Sequence, residues 1–403
     1  GRPLPATTVQ VLDEGRGEIA TTTTDAEGHF RVAEIAEATD TVPVSRLGYA
    51  GQTIEGVAVD PLGEMFMTVS LTPTPFGLDE MVITASRYEE RSLGAPASTS
   101  VIDRAALVER PQLTPLDLTR EVMGVDFASK GIMQHNLSMR GIRWSMAITP
   151  LVLTDHRFAH LPMVDWTLPY MIPQASDDIA RIEVVRGPAS VLYGPNAWQG
   201  VIHVITRSPF DSPGTAIAVT GGDRSLLQGT FRHAAILSDH LAIKLSGKLL
   251  TADDWEYVDP VEQASREVAI TGGADPDTLR IGRRDPRIEN WSGEVRLDWR
   301  PSPATTVILT GGLTEAVNHI DINHTFGGVQ FQNWRTSFLQ GRVTSGRFAA
   351  NVYANRSNSN ETFALRTGQG VRDASRVYGA QAQHSADVAD RSRLVYGVDG
   401  RYT

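Results

Sequence analysis

The sequence predicts a mainly β protein. It reads as a small N-terminal β-sandwich, a mixed α/β domain, and an incomplete antiparallel transmembrane β-barrel holding about nine strands of a larger one. Three observations carry this. From Gly214 onward, strands of roughly ten residues alternate strictly between an apolar and a charged face. Tight turns and long links alternate between those strands. No stretch approaches the roughly 18 consecutive apolar residues that a membrane helix needs, so spanning falls to strands, whose closure leaves no sheet edge in lipid.

Composition narrows the function. The chain has 403 residues, 41% of them apolar, enough for several cores. Its 37 basic and 47 acidic residues give a net charge of −10, the wrong sign for a protein that binds nucleic acid through clustered Lys and Arg. With no cysteine there is no disulfide scaffold, thiolate zinc site or cysteine nucleophile. The opening Gly1-Arg2-Pro3 has neither a basic nor an apolar leader region.

Residues 1–72 carry short β-like runs, Ala20 to Thr24, His29 to Val32, Thr41 to Ser45 and Met65 to Leu71, with turn signals between them. A sandwich is expected. Residues 73–90 form a linker: Pro73, Pro75 and Gly77 bar it from a sheet interior, and Asp79, Glu80, Met81, Val82, Ile83, Thr84 and Ala85 follow as a strand-like segment. Such a segment is either an ordinary strand of the next domain or one kept for a partner's sheet edge.

Residues 91–210 mix strand-like stretches (Ser100 to Asp103, Leu151 to Thr154, Ile179 to Val185) with a helix candidate at Thr114 to Arg120. The region closes on RIEVVRGPASVLYGPNAWQGVIHVIT, residues 181–206, a strand, a short helix and a strand punctuated by Gly187-Pro188 and Gly194-Pro195. In residues 211–403, Leu241, Ile243, Leu245 and Leu249 oppose Ala242, Lys244, Ser246 and Lys248. Likewise Trp291, Val295, Leu297 and Trp299 oppose Ser292, Glu294, Arg296 and Asp298. The expected links are 221–225, 238–239, 251–289, 301–304, 315–328, 345–346, 358–374 and 389–390. A soluble sandwich also alternates, but not with this rhythm of links. Charged residues along the strands then face a wet or plugged lumen rather than forming acid/base pairs, and Trp291 and Trp299 mark the interfaces.

Enzyme signatures are missing. Gly194 is followed by Pro195-Asn196, not by the Gly-Lys-Ser/Thr of a phosphate loop, and there is no G-x-S-x-G or H-E-x-x-H. His156 and His160 have a helix-face metal spacing, but Pro162 and loop-like surroundings make them loop histidines. No catalytic residue, metal or cofactor is expected.

Two resemblances organise these readings. TTTDAEGHFRVAEI and VSRLGYAGQTI resemble the carboxypeptidase-regulatory-like domain, a seven-stranded sandwich whose first strand should precede Leu4, so an N-terminal truncation is expected. Residues 181–206 resemble the end of the plug domain of TonB-dependent outer-membrane receptors, LSMRGIR and LVLTDHR resemble earlier plug strands, and DEMVITA (79–85) is similar to the TonB box. The resemblance implies a plug at 91–210 with motif residues Arg181, Glu183, Arg186, Gly187, Pro188, Tyr193, Gly194 and Gly200. It also implies a twenty-two-stranded barrel beginning at 211 and pairing of TonB with 79–85. By the same analogy ligand meets apical plug residues His135, Asn136, His156, Arg157, Phe158, His160, Trp166 and Tyr170, together with the long links. The family often has glycine where this chain has His156, which leaves the shape of that turn open. The implied partners are TonB with the ExbB/ExbD motor, outer-membrane lipid, a small or oligomeric ligand (siderophore, cobalamin, glycan or peptide) and a surface lipoprotein. A passive porin or adhesin and a soluble sandwich enzyme are the competing classes.

Overall fold

The computed structural model describes residues 3–5, 7–13, 17–33, 39–46, 52–58, 65–71, 81–82, 90–91, 97–139, 150–323, 327–389 and 392–403. The chain divides into two compact units, with the boundary between them in the 81–95 region.

The N-terminal unit holds an antiparallel sheet in the order β2-β1-β3-β4, from β1 (Thr8–Asp13), β2 (Gly17–Thr23), β3 (Thr39–Ser45) and β4 (Gln52–Ala58). Two-residue periodicity turns Val9, Val11, Val42, Val44 and Val57 to one buried face, where Phe30, Val32, Met67, Val69 and Leu71 pack. The runs expected as strands at 29–32 and 65–71 are therefore apolar cover outside the ladder. An apolar segment can seal a sheet without hydrogen-bonding to it, and periodicity does not separate the two roles. Among the described residues these four strands form one sheet, with that apolar cover on its buried face. The short strands β5 (Met81–Val82) and β6 (Glu90–Arg91) pair with each other.

The second unit opens with β7 (Ser98–Ile102), α1 (Arg104–Glu109), the hairpin β8 (Val125–Ser129) and β9 (His135–Met139), then β10 (Leu151–Thr154), β11 (Arg157–Phe158), β12 (Ile179–Arg186), α2 (Ser190–Tyr193) and β13 (Gly200–Thr206). These strands make a mixed sheet in the order β11-β10-β13-β12-β7, with β10 parallel to β13 and β12 antiparallel to both neighbours. Val152, Ile182, Val184, Ile202 and Val204 lie in a core sealed by Leu107 of α1 and Leu137 of β9. Burial on both faces is why these strands read as continuous apolar runs. Helix α1, capped by the Asp103 carboxylate accepting from the Ala106 amide at 2.9 Å, was not anticipated, and the helix expected at 114–120 is a 3-10 turn at Asp117–Glu121.

An antiparallel meander follows: β14 (Gly214–Gly222), β15 (Leu226–Ser238), β16 (Leu241–Asp253), α3 (Pro260–Thr271), β17 (Arg287–Ser302), β18 (Thr305–Asn323), β19 (Gly327–Ser345), β20 (Phe348–Asn358), β21 (Phe363–Ala364), β22 (Arg376–Ala389) and β23 (Ser392–Tyr402). Nine strands pair in sequence order, and β21 joins β19. The faces fall as the alternation requires. Leu249 is 54% exposed and Lys248, its neighbour, 4%. The inner face carries Lys244, Glu294, Arg296 and Asp298, all buried, while Leu245, Val295, Leu309, Leu339 and Val352 are exposed on the outside.

One link is corrected. Residues 315–328 were expected as a long loop, but β18 and β19 stay paired from Glu315↔Arg335 to Asn323↔Gly327. Apolar alternation is enforced only where one face meets hydrocarbon, so it fades while the hydrogen-bonded ladder runs on. Beside this hairpin the links 254–286 and 359–375 fold on each other. Arg284 grips Glu262 of α3 through Nε (2.7 Å) and Nη2 (2.9 Å). Arg366 reaches Asp259 at 3.2 Å, and the Gly282 amide donates to the Leu365 carbonyl at 2.8 Å.

Candidate functional site

The inner face of the meander meets the α/β domain along a polar seam, and the seam is the candidate site. Its centre is the turn joining β10 to β11, Asp155-His156, with φ of 46° and 70°. A two-residue hairpin of this twist needs positive φ at both positions, which glycine or a short polar residue adopts most readily. Here the main chain of His156 is held instead: its N–H donates to Nε2 of His203 at 3.0 Å and the two rings meet edge to face at 4.5 Å.

That turn is fastened to the wall on every side. The Asp155 carboxylate accepts from the Thr206 amide (2.9 Å) and hydroxyl (2.6 Å) and lies 3.6 Å from Arg296. Burial alone would raise its pKa; Arg296, Lys244 and Thr206 outweigh this and hold it below the ordinary carboxylate value. Gln340 donates to the Asp155 carbonyl at 2.7 Å and Asn351 to that of His156 at 3.1 Å. Arg157 donates to Thr154 (2.8 Å) and Asn355 (3.1 Å) and lies 3.6 Å from the centre of the Phe338 ring.

Two further contacts extend the seam. Asp178 receives Lys244 at 2.8 Å and Arg232 at 3.1 Å, all three side chains buried. Nearby, Gln174 donates to Glu294 at 2.5 Å and Ser292 to the Pro173 carbonyl at 2.9 Å. At the hairpin end of the meander, Lys130 and Gln134, in the turn between β8 and β9, bond to Ile322 and Asp321. Tyr170 donates to the same Asp321 at 2.9 Å, and the Ile132 amide donates to Asp254.

The glycine-punctuated stretch is structural. Arg186 ends β12 and donates to the Met123 carbonyl at 2.6 Å. Gly187 (φ 111°) bonds back to Gln199, exposed Pro188 follows, Tyr193 is buried, and Gly194 (φ 81°) caps α2. Arg181 pairs with Glu183 at 2.8 Å. At Gly200 (φ 153°) a Cβ would strike the Val185 carbonyl oxygen and stand 2.6 Å from the Met139 sulfur.

Family profiles match at two places. The TonB-dependent receptor plug domain matches residues 91–201, and the carboxypeptidase regulatory-like domain matches residues 1–72. The likeness to TonB-dependent receptors is thus carried by the plug-domain match and by a curated relative. It is 26% identical over 234 residues to the vitamin B12 transporter BtuB of Vibrio vulnificus, covering 56% of this chain and 35% of that protein. The chain thus spans about a third of that relative. A Serratia marcescens hemophore receptor, HasR, solved with its hemophore HasA and heme, superposes with a TM-score of 0.51 at 17% identity, over 76% of this chain and 44% of that one. That likeness bears on the fold. These relatives are receptors and transporters, not enzymes.

Of the eight residues expected to meet ligand, four are buried. His135 is buried between Asp117 (3.1 Å) and Ser129 (3.1 Å). Arg157, Phe158 and Tyr170 are buried against the wall, and half-buried His160 faces Asp165 at 3.2 Å. His156 is taken up in the turn, Trp166 pairs across a bridge with Leu161, and Asn136 lies half-buried opposite Ala128 in the β8–β9 hairpin. A polar residue that grips a wall and one that grips a ligand look alike in sequence, because the difference lies in partners more than a hundred positions away. Missed for the same reason were Asp155, Asp178, His203 and Asp321. Of the TonB-box residues, Asp79, Glu80, Ile83, Thr84 and Ala85 lie outside the described residues, as do 140–149, which include part of the LSMRGIR motif; Met81 and Val82 form β5.

The turn yields a pH prediction. Burial lowers the His203 pKa to about 4, the nearby Glu183 and Asp155 opposing it only in part. The unfolded chain therefore takes up this proton first, near pH 6.5. Stability is full above that pH and falls as pH drops toward 4, by roughly 3 kcal/mol from this residue. Urea unfolding between pH 7 and 4 is expected to show that slope, and His203→Gln to flatten it.

Proposed function

We propose that this receptor serves active uptake of a scarce ligand across a Gram-negative outer membrane, with TonB supplying work drawn from the inner-membrane proton gradient through ExbB and ExbD. The observation that carries the reading is the polar seam. A plug held by hydrogen bonds and ion pairs can exchange its partners for water as it is remodelled, whereas an apolar interface would lose its stabilisation outright. The path of the pull supports it too: among the described residues β7, the first plug strand after the TonB-box segment, is an edge strand paired only with β12.

The domain scheme we adopt is 1–72 accessory domain, 73–90 tether with TonB box, 91–210 plug, and 211–403 barrel wall in contact with membrane lipid. The end bearing links 254–286 and 359–375 then faces outward, where ligand, and a surface lipoprotein if one assists, would approach. Ligand class stays at ferric siderophore, cobalamin, glycan or peptide. The named relatives handle vitamin B12 and a heme-bearing hemophore, which favours a large chelate.

TonB would add a strand against residues 81–84. Val82→Pro removes a ladder N–H, so pull-down of the purified receptor with TonB is expected to lose at least tenfold in affinity. Binding equal to wild type would refute the assignment. Uptake that persists after the proton gradient is collapsed would instead favour a passive porin.

A further inference from the structure

Arg157 differs from the other arginines described in the seam. Arg232 faces Asp178, and Arg296 faces Asp298 and Asp155. The Arg157 guanidinium, on a side chain only 5% exposed, meets neutral groups: the Thr154 hydroxyl, the Asn355 amide oxygen, the Phe158 carbonyl and the face of Phe338. Among the described residues no carboxylate forms an ion pair with it. The Glu294 and Asp155 carboxylates act on it only from beyond ion-pair distance, and these together with hydrogen bonds to neutral oxygens recover only part of the cost of burying a cation.

A small pocket of about 30 Å³ opens beside it, between plug residues 157, 159–162 and 171–173 and the wall residues Thr314, Thr336, Phe338 and Asn355. Three polar atoms of lining residues are buried there without a partner: Nε of Arg157, Oγ1 of Thr314 and Nε2 of His160. Arg157 Nε and the Thr314 hydroxyl are both donors. A water needs about 10–15 Å³, so the pocket has room for a monatomic anion or two waters and none for a polyatomic organic anion.

We propose that this pocket binds one small monovalent anion of halide size, which neutralises Arg157 and ties the plug segment around residue 157 to the wall at β18 and β19. The anion supplies the negative charge that the seam provides to Arg232 and Arg296 from carboxylates. A consequence is that this part of the seam responds to halide concentration, independently of general ionic screening.

Two measurements on the full-length receptor in detergent test this. Crystals soaked in sodium bromide are expected to show an anomalous peak within hydrogen-bonding distance of Arg157 Nε and Thr314 Oγ1. Thermal unfolding in sodium chloride is expected to lie above that in sodium gluconate at equal ionic strength, by on the order of 5 °C. The increment should vanish in Arg157→Gln and shrink in Thr314→Val, which preserves shape should the arginine variant fail to fold. A pocket holding only water density after the soak, or a chloride increment unchanged in either folded variant, would overturn the proposal.

Discussion

Asp178→Ala is expected to destabilise the plug by on the order of 3–5 kcal/mol, the range found when one member of a buried ion pair is removed. The alanine would leave Lys244 and Arg232, whose side chains are 0% and 3% exposed, facing each other without their shared carboxylate. Neither cation can turn to water, since Lys244 also donates to the Arg207 carbonyl at 3.2 Å and Arg232 to that of Ser212 at 2.9 Å. The outcome is best read by limited proteolysis of the solubilised receptor: the plug should become cleavable while the strands stay protected. Adding Lys244→Met to Asp178→Ala should restore part of the loss, because removing a charge along with its partner is far less damaging than stranding it. Equal protease resistance of wild type and Asp178→Ala would mean that the three groups do not act as a unit.

Gly200→Ala should be comparably severe, and Gly194→Ala mild, although both glycines have positive φ. At Gly194 (φ 81°, ψ −174°) an added Cβ meets nothing within 4 Å, so only backbone strain of roughly 1–3 kcal/mol is added. At Gly200 it meets the Val185 backbone on β12, which cannot withdraw without breaking its ladder to β13. Several kcal/mol of loss is expected, from overpacking together with the strained φ. Unfolding midpoints of the two variants, compared side by side, decide whether the clash or the φ dominates. Similar losses would assign the effect to φ alone.

These predictions separate what the chain declares locally from what folding assembles. The inward and outward faces of β16 and β17 follow from Lys244, Lys248, Glu294 and Arg296 alternating with Leu245, Leu249, Val295 and Trp299. A pleated strand has a period of two whatever surrounds it, and a membrane tolerates charge on one side only. The strand, helix and strand of 181–206 are legible for a like reason: glycine and proline constrain φ at their own positions.

The seam is not legible in this way. Nothing near Asp178 in the chain announces Lys244, and nothing near Arg157 announces Asn355 or the pocket beside Thr314. Those partners are chosen by the register and curvature of the meander and by the depth at which the plug rests within it. The pattern of residues therefore declares that charge lines the inside. The assembled fold decides which charges hold the plug, and it places His135, Arg157 and Tyr170 in the plug's own packing and against the wall. Periodicity is a property of each strand, whereas a buried polar contact is a property of two surfaces that meet only after both have formed.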